Sequence, residues 1–320
     1  MIDFRYHVVS LVAVLLALAT GILVGSSVLN GPLYRAVKSQ TDQLRAQRND
    51  LQDQVSGLQR DLGFDAAFAN EVAPQLVAGR LTGGRVLIVT LPGAQDSVVN
   101  GVEQSINQAG GKVTGRVGIT DAYTDTAKEP VLDDLASRLA SQMPGIQISG
   151  DGSTYTRAAQ LIASIAGTRD VIEAGAAPSA TNAIGLPGLK AGGFLTLRGE
   201  PANKATYVVI VAGNPTQKSQ GTSARSNEAY LVLADELDAR TMGVVVVGTD
   251  DAAKSGGLIS ALRSDSARTK HLSSVDVADN PFGRVSTIWA LQAEAAGKSG
   301  QYGESGTTDG PLPSSIQTGP

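Results

Sequence analysis

The sequence predicts an α/β protein in which a single transmembrane helix and a coiled-coil stalk precede a mostly parallel-sheet, Rossmann-like domain. Three patterns predict this order: an apolar run without charge at 8–29, a seven-residue apolar repeat at 33–63, and alternating strand and helix patterns within 81–296. Residues 1–7 are a short polar start. Residues 297–320 are rich in Gly, Ser, Thr and Pro, a composition typical of a disordered tail.

The apolar run has the length and composition of a membrane span. No charged side chain lies between Val8 and Leu29, and about 20 apolar helical residues cross a bilayer core. A cleaved signal peptide is the alternative, but its apolar region is usually shorter and ends at an A-x-A-like site, which does not stand at the end of this run. We therefore predict a retained anchor. Gly21 and Gly25 form a G-x-x-x-G pair, which lets two spans pack closely, although small residues are common in spans.

The charges that flank the span give a prediction for its orientation. Arg5 precedes the span, whereas Arg35, Lys38, Arg45 and Arg48 follow it. Because Lys and Arg collect on the cytoplasmic side of membrane proteins, this count places the C-terminal side in the cytoplasm.

The repeat after the span is typical of a coiled coil. Apolar side chains recur at alternating steps of three and four, and four of them occupy d positions seven residues apart. Thr41 and Arg48 interrupt the other column. We predict self-association as a homodimer; a single amphipathic helix packed on its own domain is the alternative. The predicted dimer seam consists of Val37, Leu44, Leu51, Val55, Leu58 and Leu62.

The main domain begins with a β–α–β pattern. Residues 85–91 are a nearly continuous apolar run, as in a strand buried on both faces. A helical pattern starts at Asp96 and stops at 110–111, and 113–119 is the second strand. This unit predicts a parallel sheet with a right-handed crossover.

Further strand and helix patterns alternate to the end of the domain, which favours one α/β domain. Residues 174–193 are rich in Gly, Ala and Pro and are predicted to be a loop, and the domain could divide into two lobes near 174–205. Further strands are predicted at 194–197, 207–212, 243–248 and, as an edge, 275–277, with helices at 130–142, 155–166, 226–239 and 255–263 and after Pro281.

Three of the loops that follow strands predict a ligand crevice. Open α/β sheets bind ligands beyond the carboxyl ends of their strands. Ordinary turn chemistry and helix capping also explain these residues. The crevice residues are Pro92, Gly93, Asn214, Asp250 and Asp251.

Composition excludes several classes of function. There are no cysteines, only two histidines and three methionines, which excludes a Cys nucleophile and a dense soft-metal site within one chain and argues strongly against a Ser–His hydrolase. The net charge is −4 without a basic block, which argues against a nucleic-acid partner. G-x-G-x-x-G does not follow the first strand, and G-x-S-x-G does not occur. We predict no catalytic residue, metal ligand or cofactor, and interpret the protein as non-enzymatic.

The opening residues, MIDFRYHVVSL, and the span ending in Gly-Ile-Leu-Val-Gly resemble the MctB family of actinobacterial envelope proteins, which includes the SteB type. The C-terminal part of the chain is similar too, in the motifs Val275-Asp276, Gly283-Arg284, Trp289-Ala-Leu291 and Gly300-Gln-Tyr-Gly303. The resemblance covers residues 1–303. The resemblance implies a cytoplasmic N-terminus and a domain in the periplasm-like space, against the charge count. It favours anchoring in the cell membrane over a location in the outer membrane.

The resemblance implies two alternative functions, because two different functions are attributed to members of the family. One is cell separation and envelope remodelling with a cytoplasmic SteA-like protein and a wall hydrolase, which suits an anchor, a stalk and an exported domain. The other is copper transport through an oligomeric channel, which the residue composition and the single apolar helix suit less well. A ligand-binding α/β domain is a third alternative.

Overall fold

The computed structural model describes residues 4–29, 32–179, 182–214 and 223–313. Parts of several predictions lie outside these ranges, namely residues 1–3 of the polar start, 180 and 181 of the predicted loop, 215–222 within the predicted α/β domain, and 314–320 of the tail. The chain divides into two compact units, Met1–Asp65 and Ala66–Pro320.

The first unit is helical. Helix α1 spans Phe4–Leu29, and within it Phe4–Gly25 is long and apolar enough to cross a membrane by length and composition. Helix α2 spans Pro32–Val77 and therefore continues past Gly63, where the predicted coiled-coil repeat at 33–63 ends. A single glycine costs a helix only about 1 kcal/mol, which the surrounding helix-forming residues offset.

The second unit is built on one seven-stranded sheet. The strands are β1 Arg85–Thr90, β2 Lys112–Ile119, β3 Leu195–Gly199, β4 Tyr207–Val211, β5 Gly243–Val247, β6 Ser273–Val275 and β7 Gln301–Tyr302. Their order across the sheet is β3-β2-β1-β4-β5-β6-β7. Only β3 runs antiparallel to its neighbour. The structure thus confirms the predicted α/β class and the mostly parallel sheet.

Helices cover both faces of the sheet. They are α3 Asp96–Gln108, α4 Glu129–Gln142, α5 Thr154–Ala166, α6 Gly185–Ala191, α7 Ser223–Asp238, α8 Asp250–Ala253, α9 Leu258–Arg263 and α10 Pro281–Ala295. One apolar core joins the sheet to α4, α5, α6, α7 and α9. The opposite core joins it to α3 and α10, and it also contains Val77 at the end of α2. These two layers bury the continuous Val and Ile runs of the central strands on both sides.

Four sequence predictions need correction. Residues 174–193 are not entirely loop, because α6 forms within them and buries Leu186 and Leu189 against the sheet. One sheet carries strands from both sides of this stretch, so it does not separate lobes. The tail predicted from residue 297 instead contributes β7, which pairs in parallel with β6. The edge of the sheet is therefore β7 and not residues 275–277.

Candidate functional site

A cleft of about 790 Å³ opens where the loops after β1 and β4 leave the sheet in opposite directions. The chain runs from β1 to α3 on one face and from β4 to α7 on the other, which is the topological switch point where open α/β sheets bind ligands. Pro92, Gly93 and Asn214 line this cleft. The structure thus brings together three of the five residues that the sequence predicts for a crevice.

The two loops touch through their backbones at the floor of the cleft. A Cβ atom on Gly213 would lie 1.8 Å from the carbonyl oxygen of Pro92, so only glycine permits this approach. Gly93 has a φ of +81°, in the left-handed region that favours glycine. The amide of Asn214 faces the carbonyl of Gly93 at 3.4 Å. Gly213 is therefore required by the close packing of the two loops, and Gly93 by its backbone conformation.

Asn214 connects this floor to the loop after β5. Its side-chain amide donates to Asp251 at 3.2 Å and accepts from the Thr249 hydroxyl at 2.8 Å. Asp250 and Asp251 themselves lie beside the cleft, where the Lys254 ammonium is 2.8 Å from both carboxylates. Hydrogen bonds from Lys254 and then Ser305 lower the pKa of Asp250. The two carboxylates are thus engaged with a cation of the chain itself.

The sequence did not predict one wall of the cleft. The loop after β2 contributes Thr120, Asp121 and Asp125, while α7 contributes Asn227 and Tyr230. Burial raises the pKa of the Tyr230 phenol further above neutral pH, where a tyrosine hydroxyl is in any case protonated and can donate a hydrogen bond. A usable signal existed, because β2 is parallel to β1 and its following loop must reach the same edge of the sheet.

The chemistry of the cleft is that of hydroxyl, amide and carboxylate groups, which bind polar or cationic ligands by hydrogen bonds. Within the described ranges, no group of three or more His, Cys, Asp or Glu side chains is arranged to hold a metal ion. His271 lies 3.1 Å from Asp235, a residue of α7 that does not line the cleft.

The other predicted site residues lie on the two N-terminal helices. All six residues of the predicted seam are between 51% and 67% exposed. Gly21 and Gly25 lie on α1 with open space around the position of a Cβ atom, within the part of the chain that the structure describes. The seam and the glycine pair are thus available on the surface of this single chain.

These features define a class: an α/β domain with a switch-point cleft, preceded by a long helix with an exposed apolar row and by one apolar helix that fits a single-pass membrane anchor. Residues 1–313 match the family described as "Copper transport outer membrane protein, MctB". The chain therefore belongs to the MctB family, as the N-terminal and C-terminal motifs predicted.

Relatives of similar length support this assignment. The copper transporter MctB of Mycobacterium tuberculosis and that of Mycobacterium bovis are each 29% identical to this chain over 319 residues, which is 98% of both chains. The copper transporter MctB of Mycobacterium leprae is 27% identical over 313 residues, covering 95% of this chain and 96% of the relative. The similarity therefore includes the apolar helix, the long helix and the α/β domain.

Proposed function

We propose that this protein is a non-enzymatic, membrane-anchored homodimer of the cell envelope that acts through protein partners in cell separation and envelope remodelling. The observation that carries the proposal is the exposed seam on α2. Six apolar side chains recur along a helix whose other side chains are mainly polar, and each is more than half exposed. Such a row is stable in water when a second helix covers it.

The energetic reason for self-association is the area that pairing would bury. Covering a largely exposed Leu or Val side chain contributes about 1.5–3 kcal/mol. Each chain of a dimer supplies the same six side chains, so the interface is self-complementary, as a twofold dimer requires. Thr41 lies at an a position of this repeat, where a polar residue helps to set register and strand number.

The membrane anchor and the α/β domain would each contact a different partner, one on each side of the membrane. With the N-terminus in the cytoplasm, the start of the chain at residues 1–7 would meet a SteA-like cytoplasmic partner, and the α/β domain would meet a wall hydrolase on the other side of the membrane. The single apolar helix and the family membership support this arrangement. The positive charges after the span oppose it under the positive-inside rule.

Aspartate in place of Leu44, Leu51 and Leu58 tests the seam. We expect the full chain in detergent to change from dimer to monomer, because each carboxylate would have to be buried against an apolar partner. Light scattering coupled to size-exclusion chromatography measures the mass of the protein component.

The matched control places the same three charges on the outer face of α2, as Ser39→Asp, Ala46→Asp and Ser56→Asp. This variant should remain a dimer. A dimer that persists in the leucine variant would show that α2 is not the interface.

Copper transport is the second candidate, because the relatives named above are copper transporters by name. If this function is correct, the full chain in detergent should bind at least one copper ion per chain in equilibrium dialysis, and loss of the gene should increase copper sensitivity. His7, His271 and three methionines are the soft or borderline ligands in the sequence. Failure of both measurements would remove this candidate.

A further inference from the structure

A small polar pocket of about 210 Å³ lies on the face of the sheet beyond the outer edge of α3. It is separate from the switch-point cleft, with which it shares only Gly93. Its polar side chains come from three neighbouring strands and from the first turn of α3. They are Thr90, Arg116, Thr196, Arg198 and Asp96.

The two arginines stand directly opposite each other across β2 and β3. Like charges in this position repel at short distance. Glu103 and Asn100 accept hydrogen bonds from Nη2 of Arg116, so the charge of Arg116 is balanced by the chain itself. Arg198 is exposed, and among the described residues no carboxylate pairs with it. One guanidinium of the pair therefore lacks a counter-ion.

Two hydroxyl groups flank Gly118, which lies two residues after Arg116 on β2. A Cβ atom there would lie 2.3 Å from the hydroxyl oxygen of Thr196 and 3.2 Å from that of Thr90. Neither threonine hydroxyl has a hydrogen-bond partner among the described residues. The glycine thus leaves open a space that two free donors border, next to the unpaired guanidinium.

We infer that this pocket binds a carboxylate group, with Arg198 as its counter-ion and the hydroxyls of Thr90 and Thr196 as additional donors. A guanidinium matches a carboxylate with two parallel hydrogen bonds. Asp96 also lines the pocket, which disfavours a doubly charged oxyanion such as phosphate. The buried side chains Leu91 and Val99 offer an apolar wall for the carbon that carries the carboxylate.

The ligand is either a free small carboxylic acid or the carboxylate of a peptide end, since both present the same group. Modification of arginine by phenylglyoxal in the full chain in detergent, quantified by mass spectrometry, distinguishes the two. The probes are acetate, tetra-alanine and tetra-alanine amide, with sodium chloride added to equal ionic strength. Arg45, which is 73% exposed, serves as an internal reference.

We expect tetra-alanine to slow the modification of Arg198 about threefold at twice its dissociation constant, without a change at Arg45 and without an effect of the amide. Equal protection by acetate would identify a small acid as sufficient, and protection by tetra-alanine alone would identify a peptide end. Absence of protection by both carboxylates at saturating concentration would overturn the inference.

Two variants connect the protection to the pocket. Thr196→Val keeps the shape of the side chain but removes one donor, so protection of Arg198 should weaken. Asp96→Asn removes the competing charge, so protection should strengthen at the same ligand concentration. If neither variant changes the protection, the carboxylate contacts Arg198 outside the pocket and the inference is wrong. Lys112→Ala removes a positive charge at the opposite end of β2 and should leave protection unchanged.

Discussion

Replacement of Asp276 by alanine should lower the free energy of unfolding by about 3–5 kcal/mol, because it leaves a buried guanidinium without its counter-ion. The Asp276 carboxylate is fully buried and lies 2.7 Å from Nη1 of Arg263, whose side chain is 7% exposed. The carboxylate also accepts hydrogen bonds from the backbone amides of Glu304 and Ser305, each at 2.9 Å. The substitution therefore removes three hydrogen bonds at once.

The same group of contacts holds the end of the described chain against the sheet. Arg263 donates to the carbonyl oxygens of Tyr302 and Ser305 as well as to Asp276. Gly303 permits the close approach, since a Cβ atom there would lie 1.6 Å from the Asp276 carboxylate. We expect Asp276→Ala to release residues 301–305 first, which hydrogen exchange of those amides would detect.

Urea unfolding, followed through the fluorescence of the single tryptophan Trp289, measures the global effect. A surface pair of nearly equal length is the matched control: Asp134 lies 2.8 Å from Arg138, and both side chains are more than half exposed. Asp134→Ala should therefore lower stability by less than about 1 kcal/mol. Equal effects of the two substitutions would contradict the role assigned to the buried pair.

Replacement of Glu294 by glutamine should remove a large pH dependence of stability. Glu294 is 8% exposed on α10, and its carboxyl group accepts a hydrogen bond from the hydroxyl of Ser273. Burial raises the pKa of Glu294 to about 8, and the hydrogen bond from Ser273 opposes this shift only in part. The carboxyl group is therefore mainly protonated in the folded protein at neutral pH.

The direction of the pH effect follows from the raised pKa. Between the unfolded pKa of about 4.5 and the folded pKa of about 8, the folded state binds the proton more tightly than the unfolded state does. The stabilisation is complete below the lower value and is lost as the pH rises to the upper one. A shift of this size corresponds to roughly 3–5 kcal/mol.

The measurement is the difference in unfolding free energy between Glu294→Gln and the wild-type chain from pH 5 to pH 8. Glutamine keeps the volume and the acceptor for Ser273 but cannot ionise, so the difference should be small at pH 5 and should favour the variant increasingly towards pH 8. Other titrating groups, including Asp238, whose pKa burial also raises, are present in both proteins. A difference that stays constant with pH would show that Glu294 does not titrate in this range.

Local sequence patterns were sufficient for the central strands. The runs at β1, β4 and β5 are continuous in Val, Ile and Leu because helices cover both sides of the sheet there, and that burial is visible in composition alone. The two-residue strand β7 has no such pattern. Arg263 binds the carbonyl oxygen of Tyr302 in β7, and Asp276 binds the amide of Ser305 just after it. Both side chains come from distant points in the sequence, which periodicity cannot reveal.

The candidate sites also contain residues that local sequence predicts and residues that depend on contacts between distant parts of the chain. Gly93 and Asn214 were predictable because a turn after a buried strand marks the carboxyl edge of a sheet. The position of Asp121 follows from the β–α–β pattern, because the loop after β2 must reach the same edge of the sheet as the loop after β1. The pairing of Arg116 with Arg198 depends instead on the antiparallel register of β3, which the sequence patterns do not reveal. The carboxylate pocket therefore had no counterpart in the sequence patterns.

Ala69 and Val77 on α2 are buried, so the compact α/β unit begins before residue 81. The sequence patterns suggest a domain of 81–296, but a fragment with those ends would lack both side chains and the whole of β7. It would also lose Arg80, whose guanidinium lies 3.4 Å from the centre of the Trp289 ring. A protease that sheds this domain intact would therefore have to cut before Ala66, within the exposed part of α2, and leave residues up to 313 in place.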